Sequence, residues 1–422
     1  MNPKMELYEN SQAPEKALLA AIDTGEYDAE SSLDELEELA QTAGAEVLAR
    51  IIQNRDRADA ATYVGKGKLE EIKEFCEANE ADLIIFDSEL SPAQLQNIEN
   101  ETGVRVIDRT TLILDIFAAR ARSGEGKLQV ELAQLRYALP RLTGKGVELS
   151  RLGAGIGTRG PGESKLETDR RHIRRKIKNL EDELENLQKR RDIARARRTK
   201  DNVESVVIVG YTNAGKSTLM NALTQAGVLV EDKLFATLDP TSRALTLPDG
   251  RRVMLIDTVG LIRRLPHHLI EAFKSTLEEA ASASVILTVC DASSTECAEH
   301  LKVTAELLDE LKCGDTPVIT VMNKCDLAPG IFDMPVIGKS VMISALKGQG
   351  LDALLHEIAK ALPPNRRQAE LLFPYSAGGD AAELRREGVI LEEDFRADGL
   401  YMKAIADIRL LDKFKDYLLP QS

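Results

Sequence analysis

The run Gly210-Tyr211-Thr212-Asn213-Ala214-Gly215-Lys216-Ser217 constrains the chain more than any other stretch. It directly follows the apolar residues 205–209 and directly precedes the helix-forming residues 218–223. Strand, glycine-rich turn, Lys-Ser and helix follow each other in the order of a phosphate-binding P-loop. Glycines let successive backbone N–H groups point at one oxyanion, and the helix N-terminus adds the positive end of its dipole. An ordinary βα turn would not match every fixed position, so we predict a nucleotide-phosphate site.

The side chains of this loop predict how the phosphates are held. Lys216 is predicted to reach the β- and γ-phosphates and to contribute to catalysis, and the Ser217 hydroxyl is predicted to ligate Mg²⁺. The other predicted phosphate-binding positions are Gly210, Asn213, Ala214, Gly215 and Thr218.

The totals of the sequence set wide limits. A chain of 422 residues is expected to hold about two to four domains. It has no run of about 18 apolar residues and no basic-then-apolar start, so we expect a cytoplasmic protein. The cysteines lack metal-ligand spacing, and we expect free thiols rather than a disulfide or a zinc site. They are Cys76, Cys290, Cys297, Cys313 and Cys325.

Strands and helices alternate in the first part of the chain. The pattern predicts strands at 46–52, 81–87 and 104–108, helices at 66–78 and 91–100, and an amphipathic segment at 32–39. This order predicts a small parallel α/β domain over residues 1–115.

Helical periodicity follows over residues 116–200. Two apolar stripes recur at three- and four-residue steps, and Pro140 is expected to end the first helix near that point. The stripes are Leu128, Leu132, Leu135, Leu139 and Leu142, and then Ile173, Ile177, Leu180, Leu184 and Leu187. They predict a long antiparallel helical hairpin.

The loop between these helices, residues 143–163, contains seven glycines and the cations Lys145, Arg151 and Arg159. A loop of this length in a compact region is either functional or disordered. Glycine-rich backbone can approach RNA closely, and arginine offers planar donors for phosphates and bases. We therefore predict an RNA contact, although a flexible linker also fits the glycines.

The second helix of the hairpin is basic although the whole chain has a net charge of −14. Arg170 and Arg171 begin one cluster of cations, and residues 189–198 form another. Charge runs on helices are often only solvated faces. The density of these cations beside the loop at residues 143–163, called the Gly-Arg loop below, favours a nucleic-acid phosphate backbone as the partner. We expect the protein to recognise the shape of that nucleic acid rather than its base sequence.

Further motifs follow the P-loop in the order of a guanine-nucleotide switch. The segment Phe235-Ala236-Thr237-Leu238-Asp239-Pro240-Thr241 resembles switch I, and we predict that Thr237, rather than Thr241, ligates Mg²⁺ and contributes to catalysis. Asp257-Thr258-Val259-Gly260 follows a strand; Asp257 is predicted to hold Mg²⁺ through water and the Gly260 N–H to contact the γ-phosphate.

Two later motifs predict the guanine pocket. The Asp326 carboxylate can accept two hydrogen bonds from guanine, whereas adenine lacks this pair of donors and would leave a buried carboxylate unpaired. The predicted base-binding residues are Asn323, Lys324, Asp326, Ser344, Ala345 and Leu346.

Leu261 stands where Ras-like switches have a glutamine that orients the attacking water. Because leucine cannot hydrogen-bond to water, we predict slow intrinsic hydrolysis that rises when a partner orders the switches. His267 and His268 are predicted to cap or line the next helix rather than to act in catalysis.

The fold class predicted from these segments is α/β. A P-loop GTPase domain with a Ras-like, mainly parallel sheet spans residues 201–363. The helical hairpin and the small α/β domain precede it. A small α+β module over residues 364–422 follows, with a helix near 381–387 and a hairpin turn at Ala397-Asp398-Gly399.

The chain resembles the HflX family of ribosome-associated GTPases over nearly its whole length. The most specific likeness is the loop Gly153-Ala154-Gly155-Ile156-Gly157-Thr158-Arg159-Gly160-Pro161-Gly162-Glu163, joined by residues 235–241 and by Asp257-Thr258-Val259-Gly260-Leu261-Ile262-Arg263. The resemblance implies binding to the large ribosomal subunit and GTP-dependent splitting of stalled ribosomes. It also implies that Arg151 and Arg159 contact ribosomal RNA.

The resemblance further implies Mg²⁺ with GTP as substrate, with use of ATP as an additional expectation. We expect the protein to be a cytoplasmic monomer, and we expect a fraction of the molecules to associate with membranes through ribosomes. Two alternatives stay open at this point. One is a ribosome-assembly GTPase, and the other is an RNA-binding or remodelling protein that uses nucleotide only for stability.

Overall fold

The computed structural model describes residues 13–142, 161–200, 204–224, 234–235, 241–264, 279–327, 339–363 and 366–419. The chain divides into two compact units, each described by itself below. One unit holds residues up to 246 together with 250–354, and the other holds 247–249 together with 355–422.

The first unit begins with a four-stranded parallel sheet of order β2-β1-β3-β4. Its strands are β1 (Lys16–Asp23), β2 (Glu46–Asn54), β3 (Leu83–Phe86) and β4 (Arg105–Asp108). Its helices are α1 (Ala29–Ala43), α2 (Lys66–Asn79), α3 (Pro92–Thr102) and α4 (Arg109–Arg120). Side chains of β1 alternate between the two faces, so one apolar core forms with α1 and α4 and another with α2 and α3. The predicted parallel α/β order is confirmed.

Local sequence signals set the helix ends in this region. The Asp28 carboxylate accepts hydrogen bonds from the first backbone N–H groups of α1, and Gly44 ends that helix in a left-handed conformation. Ser91 and Gln94 form a capping box at the start of α3, where Pro92 occupies the first turn.

The helical hairpin consists of α5 (Gly124–Arg141) and α6 (Pro161–Lys200). Glu125 near one end of α5 pairs with Arg191 of α6, and Arg136 near the other end pairs with Glu181, so the helices run antiparallel. Pro140 lies in the last turn of α5, one residue before its end, as the sequence predicted.

The P-loop follows the first strand of a six-stranded sheet of order β10-β9-β8-β5-β7-β6, in which only β6 and β7 pair antiparallel. The strands are β5 (Ser205–Gly210), β6 (Thr241–Thr246), β7 (Arg252–Asp257), β8 (Val285–Asp291), β9 (Val318–Asn323) and β10 (Lys339–Met342). The helices are α7 (Lys216–Thr224), α8 (Cys297–Glu310) and α9 (Leu351–Ala361). The mainly parallel sheet predicted for this part is confirmed.

The second unit contains an antiparallel sheet of order β11-β13-β12. The strands are β11 (Arg366–Phe373), β12 (Val389–Arg396) and β13 (Gly399–Asp407), and the helices are α10 (Gly378–Glu387) and α11 (Ile408–Lys413). The predicted turn at Ala397-Asp398 connects β12 and β13. The sequence did not predict β11, which pairs with β13 from a distant part of the chain.

The expectation that every cysteine is a free thiol is wrong. Cys290 in β8 and Cys297 at the start of α8 form a disulfide, with their Cα atoms 6.1 Å apart. The turn between β8 and α8 brings them together, and a spacing of seven residues does not reveal that contact. Cys76 and Cys313 are buried free thiols.

In the described segments, no cluster of His, Cys, Asp and Glu side chains suits a metal ion, and no helix has the length and apolar character needed to cross a membrane.

Candidate nucleotide site

Two glycines of the P-loop occupy positions where a larger residue would not fit. Gly210 ends β5 with φ 154°, and a Cβ there would meet the Val289 carbonyl oxygen at 2.2 Å. Gly215 has φ 88°, and a Cβ there would meet Asn323 Nδ2 at 2.3 Å. The loop therefore packs tightly against the ends of β8 and β9, and its glycines are required by contact as well as by conformation.

The Lys216 ammonium is buried beneath the loop. Its Nζ donates hydrogen bonds to the carbonyl oxygens of Gly210, at 3.0 Å, and Tyr211, at 2.7 Å. Burial lowers the pKa of Lys216 to about 8, while the nearby Asp257 carboxylate opposes that shift. Lys216 is thus held inside the turn, directly below the backbone that the P-loop motif assigns to phosphate.

The structure brings together two of the predicted magnesium ligands. Ser217, in the first turn of α7, donates a hydrogen bond from its Oγ to Asp257 Oδ2 at 2.9 Å. Asp257 is the last residue of β7 and is buried, so the sheet fixes its position. The serine hydroxyl at the start of a helix and the carboxylate at the end of a strand are oxygen donors of the kind that Mg²⁺ prefers.

Asn323 connects the P-loop to the predicted base pocket. Its Nδ2 donates to the Ala214 carbonyl oxygen at 2.9 Å, and its Oδ1 accepts from the Ala345 N–H at 3.0 Å. Lys324 pairs with Asp291 at 2.7 Å, which directs its side chain toward the end of β8. The side chain of Asn323 therefore holds three predicted nucleotide-binding segments in one arrangement.

Asp326 lies beside the serine and alanine of the last predicted motif. Hydrogen bonding from Ser344, and then from Lys347, lowers the pKa of Asp326, so the carboxylate stays ionised and can accept hydrogen bonds. Ser344 is buried, whereas Leu346 is 82% exposed.

Switch II (residues 257–264) is hydrogen-bonded to the P-loop through the backbone. The Thr212 N–H donates to the Leu261 carbonyl oxygen at 2.7 Å, and the Leu261 N–H donates to the Gly210 carbonyl oxygen at 3.1 Å. A Cβ on Gly260 would lie 2.6 Å from Thr212 Cγ2 and 3.1 Å from Lys216 Nζ. Gly260 is therefore in direct contact with the P-loop.

The Leu261 side chain packs into the core of the GTPase domain and is 5% exposed. Its backbone forms the hydrogen bonds to the P-loop, while its side chain packs among apolar residues that include Tyr211. This placement agrees with the physical premise of slow hydrolysis, and the rate itself stays a prediction.

Sequence reasoning missed Thr212 and Tyr211. The Thr212 hydroxyl is buried without a hydrogen-bond partner in the described part of the chain. The Tyr211 hydroxyl contacts Glu35, which lies 176 residues earlier. Neither relation has a local sequence signal, because both depend on how switch II and the first sheet fold against the loop.

Some predicted residues fall outside the described residues. These are Thr237 in switch I, Lys145, Arg151 and Arg159 in the Gly-Arg loop, and His267 and His268. Arg170 and Arg171 are described, and they lie on α6, where Arg171 is exposed and Arg170 is half-buried.

Strand, P-loop, switch and base-pocket segments converge at the carboxyl ends of β5, β7 and β9, which defines a P-loop GTPase. Three family models match the chain in succession. They are described as GTP-binding GTPase N-terminal (residues 30–118), GTP-binding GTPase Middle Region (120–198) and 50S ribosome-binding GTPase (205–324).

Individual relatives are similar over nearly the full length. The chain is 51% identical over 407 residues to GTPase HflX of Caldanaerobacter subterraneus subsp. tengcongensis, covering 96% of this chain and 94% of that protein. It is 41% identical over 398 residues to GTPase HflX of Escherichia coli K12, covering 93% of each. A GTP-binding protein of Sulfolobus solfataricus, solved in complex with GDP, is 27% identical, with a TM-score of 0.45 and coverage of 82% of this chain and 98% of that one.

The chain belongs to the HflX family of GTPases, and it binds and hydrolyses GTP.

Proposed function

We propose that this GTPase binds the large ribosomal subunit in its GTP form and splits stalled ribosomes, and that hydrolysis resets it. The family model described as 50S ribosome-binding GTPase covers residues 205–324, which supports the ribosome as the partner. The observation that carries the proposal is α6, a continuous helix of 40 residues whose cations begin just after the Gly-Arg loop. At about 1.5 Å per residue, this helix spans roughly 60 Å between the loop and the GTPase domain.

In this proposal the nucleotide-site residues have the roles that the sequence motifs predict. Mg²⁺ would be held by Ser217 and Thr237 directly and by Asp257 through water, and it would neutralise charge on the β- and γ-phosphates. Lys216 supplies a cation to the same phosphates. Asp326, kept ionised, selects guanine through its two hydrogen bonds.

The Gly260 N–H is the group that links the γ-phosphate to switch II. In the GTP form this N–H donates to a γ-phosphate oxygen, and Lys216 moves from the loop carbonyls to the phosphates. Loss of the γ-phosphate removes that acceptor and releases the switch. The bonds of Leu261 to the P-loop give switch II a defined resting position in which Gly260 is already close.

The RNA-binding residues of this proposal are in the Gly-Arg loop and in the first half of α6. Arg170 and Arg171 contact the phosphate backbone, and Lys145, Arg151 and Arg159 of the loop contact ribosomal RNA. On α6 these cations lie near others, including Arg174, which is 56% exposed. Their charge supplies affinity, and the loop supplies position.

Sedimentation of intact ribosomes tests the proposal. Ribosomes are incubated with the protein and GTP, a non-hydrolysable GTP analogue or GDP, and then separated on a sucrose gradient. We expect free subunits with GTP and with the analogue but not with GDP. Cosedimentation with the large subunit without splitting would indicate a ribosome-assembly GTPase instead, and equal binding in all nucleotide states would indicate an RNA-binding protein.

Substitution of the loop arginines separates their role from nucleotide binding. Arg151→Ala combined with Arg159→Ala is expected to abolish splitting while GDP affinity stays unchanged. The matched control is Lys66→Ala combined with Lys73→Ala on α2, which packs on the face of the first sheet opposite to α5. The control should split ribosomes normally, and intact splitting by the arginine variant would contradict the assignment of the loop.

A further inference from the structure

The first parallel sheet reverses its strand order at β1, which lies between β2 and β3. In open α/β sheets the crevice at the carboxyl ends of the strands next to such a reversal is the usual binding site. Here charged residues surround it. Asp87 follows β3, Arg109 follows β4, and Glu35 comes from α1. The Arg109 side chain is 3% exposed, Asp87 0% and Glu35 10%, and Arg109 pairs with both carboxylates.

Switch II occupies this crevice. The Arg264 guanidinium pairs with Asp87, donates to the Ser32 hydroxyl and lies 4.1 Å from the centre of the Tyr27 ring. Arg109 also donates to the backbone carbonyl oxygen of Arg263 at 3.2 Å. The place where a sheet of this kind commonly holds a ligand therefore holds two consecutive residues of the nucleotide switch.

Tyr211 extends the contact to the P-loop itself. Its hydroxyl donates to Glu35 Oε2 and accepts from the Arg263 N–H at 2.5 Å. Its ring stacks on His300 with a centroid distance of 3.8 Å. Burial and the neighbouring Glu35 raise the pKa of Tyr211, so the hydroxyl keeps the proton that it donates. One side chain thus joins the P-loop, switch II and the first domain.

Apolar residues beside this network contact both switches. Phe117 of α4 packs edge-to-face on Phe235, at the start of switch I, with ring centroids 4.6 Å apart. Val259 and Ile262 of switch II belong to the same buried cluster as Phe117. The N-terminal domain therefore covers the residues that flank Gly260 on both sides as well as part of switch I.

We propose that Glu35, Asp87 and Arg109 are positioning residues for GTP hydrolysis, although they lie outside the GTPase domain. They act through Tyr211, Arg263 and Arg264 and hold switch II so that Gly260 stays against Lys216. The residue directly after Gly260 offers no side chain that can order water, because Leu261 faces the core. The position of the Gly260 backbone therefore depends on Arg263 and Arg264, further along switch II. The N-terminal domain holds these two residues in place.

The charges of the network explain why conservative variants are needed to test it. Arg109 and Arg264 face Glu35 and Asp87, and Arg263 pairs with Glu296 of the GTPase domain at 2.6 Å. Removing one buried partner entirely would leave its counter-charge unpaired and would endanger folding. Glu35→Gln keeps the shape and an acceptor atom, and Tyr211→Phe keeps the stack on His300.

The experiment measures GTP hydrolysis by the full-length protein without ribosomes, so its outcome is independent of the ribosome-splitting proposal. Glu35→Gln, Tyr211→Phe and the double variant are compared with wild type for kcat, KM and GDP affinity. We expect each single variant to lose about 10- to 100-fold in kcat. GDP affinity should stay within about twofold, and the double variant should resemble the singles because both substitutions act on the same contact between Glu35 and Tyr211.

Glu37→Gln is the matched control. Glu37 lies two residues from Glu35 on α1 and pairs with Arg50 rather than with switch II. It should hydrolyse GTP at the wild-type rate, and thermal unfolding establishes that every variant is folded. An unchanged or increased kcat in folded Glu35→Gln or Tyr211→Phe would overturn the proposal. Additive losses in the double variant, or equal losses of GDP affinity and kcat, would do the same.

Discussion

The Thr212 hydroxyl is a buried polar group with no hydrogen-bond partner in the described part of the chain. A buried hydroxyl left unpaired costs free energy, and such groups commonly have a functional reason. Its surroundings suggest one, because the Thr212 side chain lies against Gly260 and close to Lys216 Nζ. These are the two groups assigned to the γ-phosphate. A Cβ on Gly260 would lie 2.6 Å from Thr212 Cγ2, so the unpaired hydroxyl belongs to a side chain that contacts this glycine.

We expect Thr212→Val to lower kcat for GTP at least about tenfold, because the variant loses the hydroxyl of a P-loop side chain that contacts Gly260. The free protein should be as stable as wild type or slightly more stable, since an unpaired buried hydroxyl is removed. Thr212→Ser keeps the hydroxyl and is the control, with a kcat near the wild-type value. Equal rates for the valine and serine variants would show that the hydroxyl has no part in hydrolysis.

His300 makes folding depend on pH. Burial lowers its pKa below the ordinary value, and Glu296 opposes that shift while Arg263 adds to it. The unfolded chain therefore binds a proton more readily than the folded one, so stability is lost as pH falls below about 6.5. His300→Phe keeps a ring against Tyr211 without a proton to gain. We expect Tm to fall less between pH 7.5 and 5.5 in this variant than in wild type, and parallel curves would contradict the assignment.

Among the elements, α5 is anchored at the end that leads into the Gly-Arg loop. The Tyr137 hydroxyl donates to Asp108, which is fully buried, caps α4 and also accepts from the Leu90 N–H at 3.1 Å. The Arg141 guanidinium stacks 3.3 Å from the centre of the Tyr137 ring and donates to the Leu90 carbonyl oxygen at 2.9 Å. The last turn of α5 is therefore fixed to the strand ends of the first sheet.

We expect Tyr137→Phe to lower the free energy of unfolding of the N-terminal region by about 1–3 kcal/mol, because a buried carboxylate loses a donor. The loss of unfolding free energy is measured by urea unfolding, with hydrogen exchange of the α5 amides as the probe. The control is Tyr375→Phe, whose hydroxyl bonds a carbonyl at an exposed site, and it should change stability by less than about 0.5 kcal/mol. If both variants unfold alike, the anchor contributes nothing to stability.

The sequence predicted those elements that carry their signals locally. The P-loop and the helical stripes are visible because glycine spacing and apolar period are properties of neighbouring residues. The strand β11 was missed because its pairing with β13 is set some 30 residues away. The crevice around Asp87 was missed for a related reason. The contact between Glu35 and Tyr211 depends on the packing of two separate sheets. The hydrophobic pattern of the sequence gives no sign of such a contact.

In the whole molecule, charge is distributed unevenly along the chain. Residues 161–200, which form α6, carry 14 Lys or Arg against 8 Asp or Glu, whereas the entire chain has a net charge of −14. The rest of the chain is therefore strongly acidic and would be repelled by a polyanion. The proposed contact with RNA would then depend on orientation, because the cations are concentrated on α6.

This distribution predicts how affinity for the large ribosomal subunit varies with salt. Each cation that neutralises a phosphate releases a counterion, so the logarithm of the binding constant falls linearly with the logarithm of salt concentration. Arg170→Ala combined with Arg171→Ala should reduce that slope by about 2 and weaken binding most at low salt. Lys66→Ala combined with Lys73→Ala removes as much charge from α2 and should leave the slope unchanged or slightly steeper. Two variants of the same total charge differ in slope only if a localised contact is involved. If the slope drops equally in both variants, net charge rather than the basic face of α6 governs binding to the large ribosomal subunit.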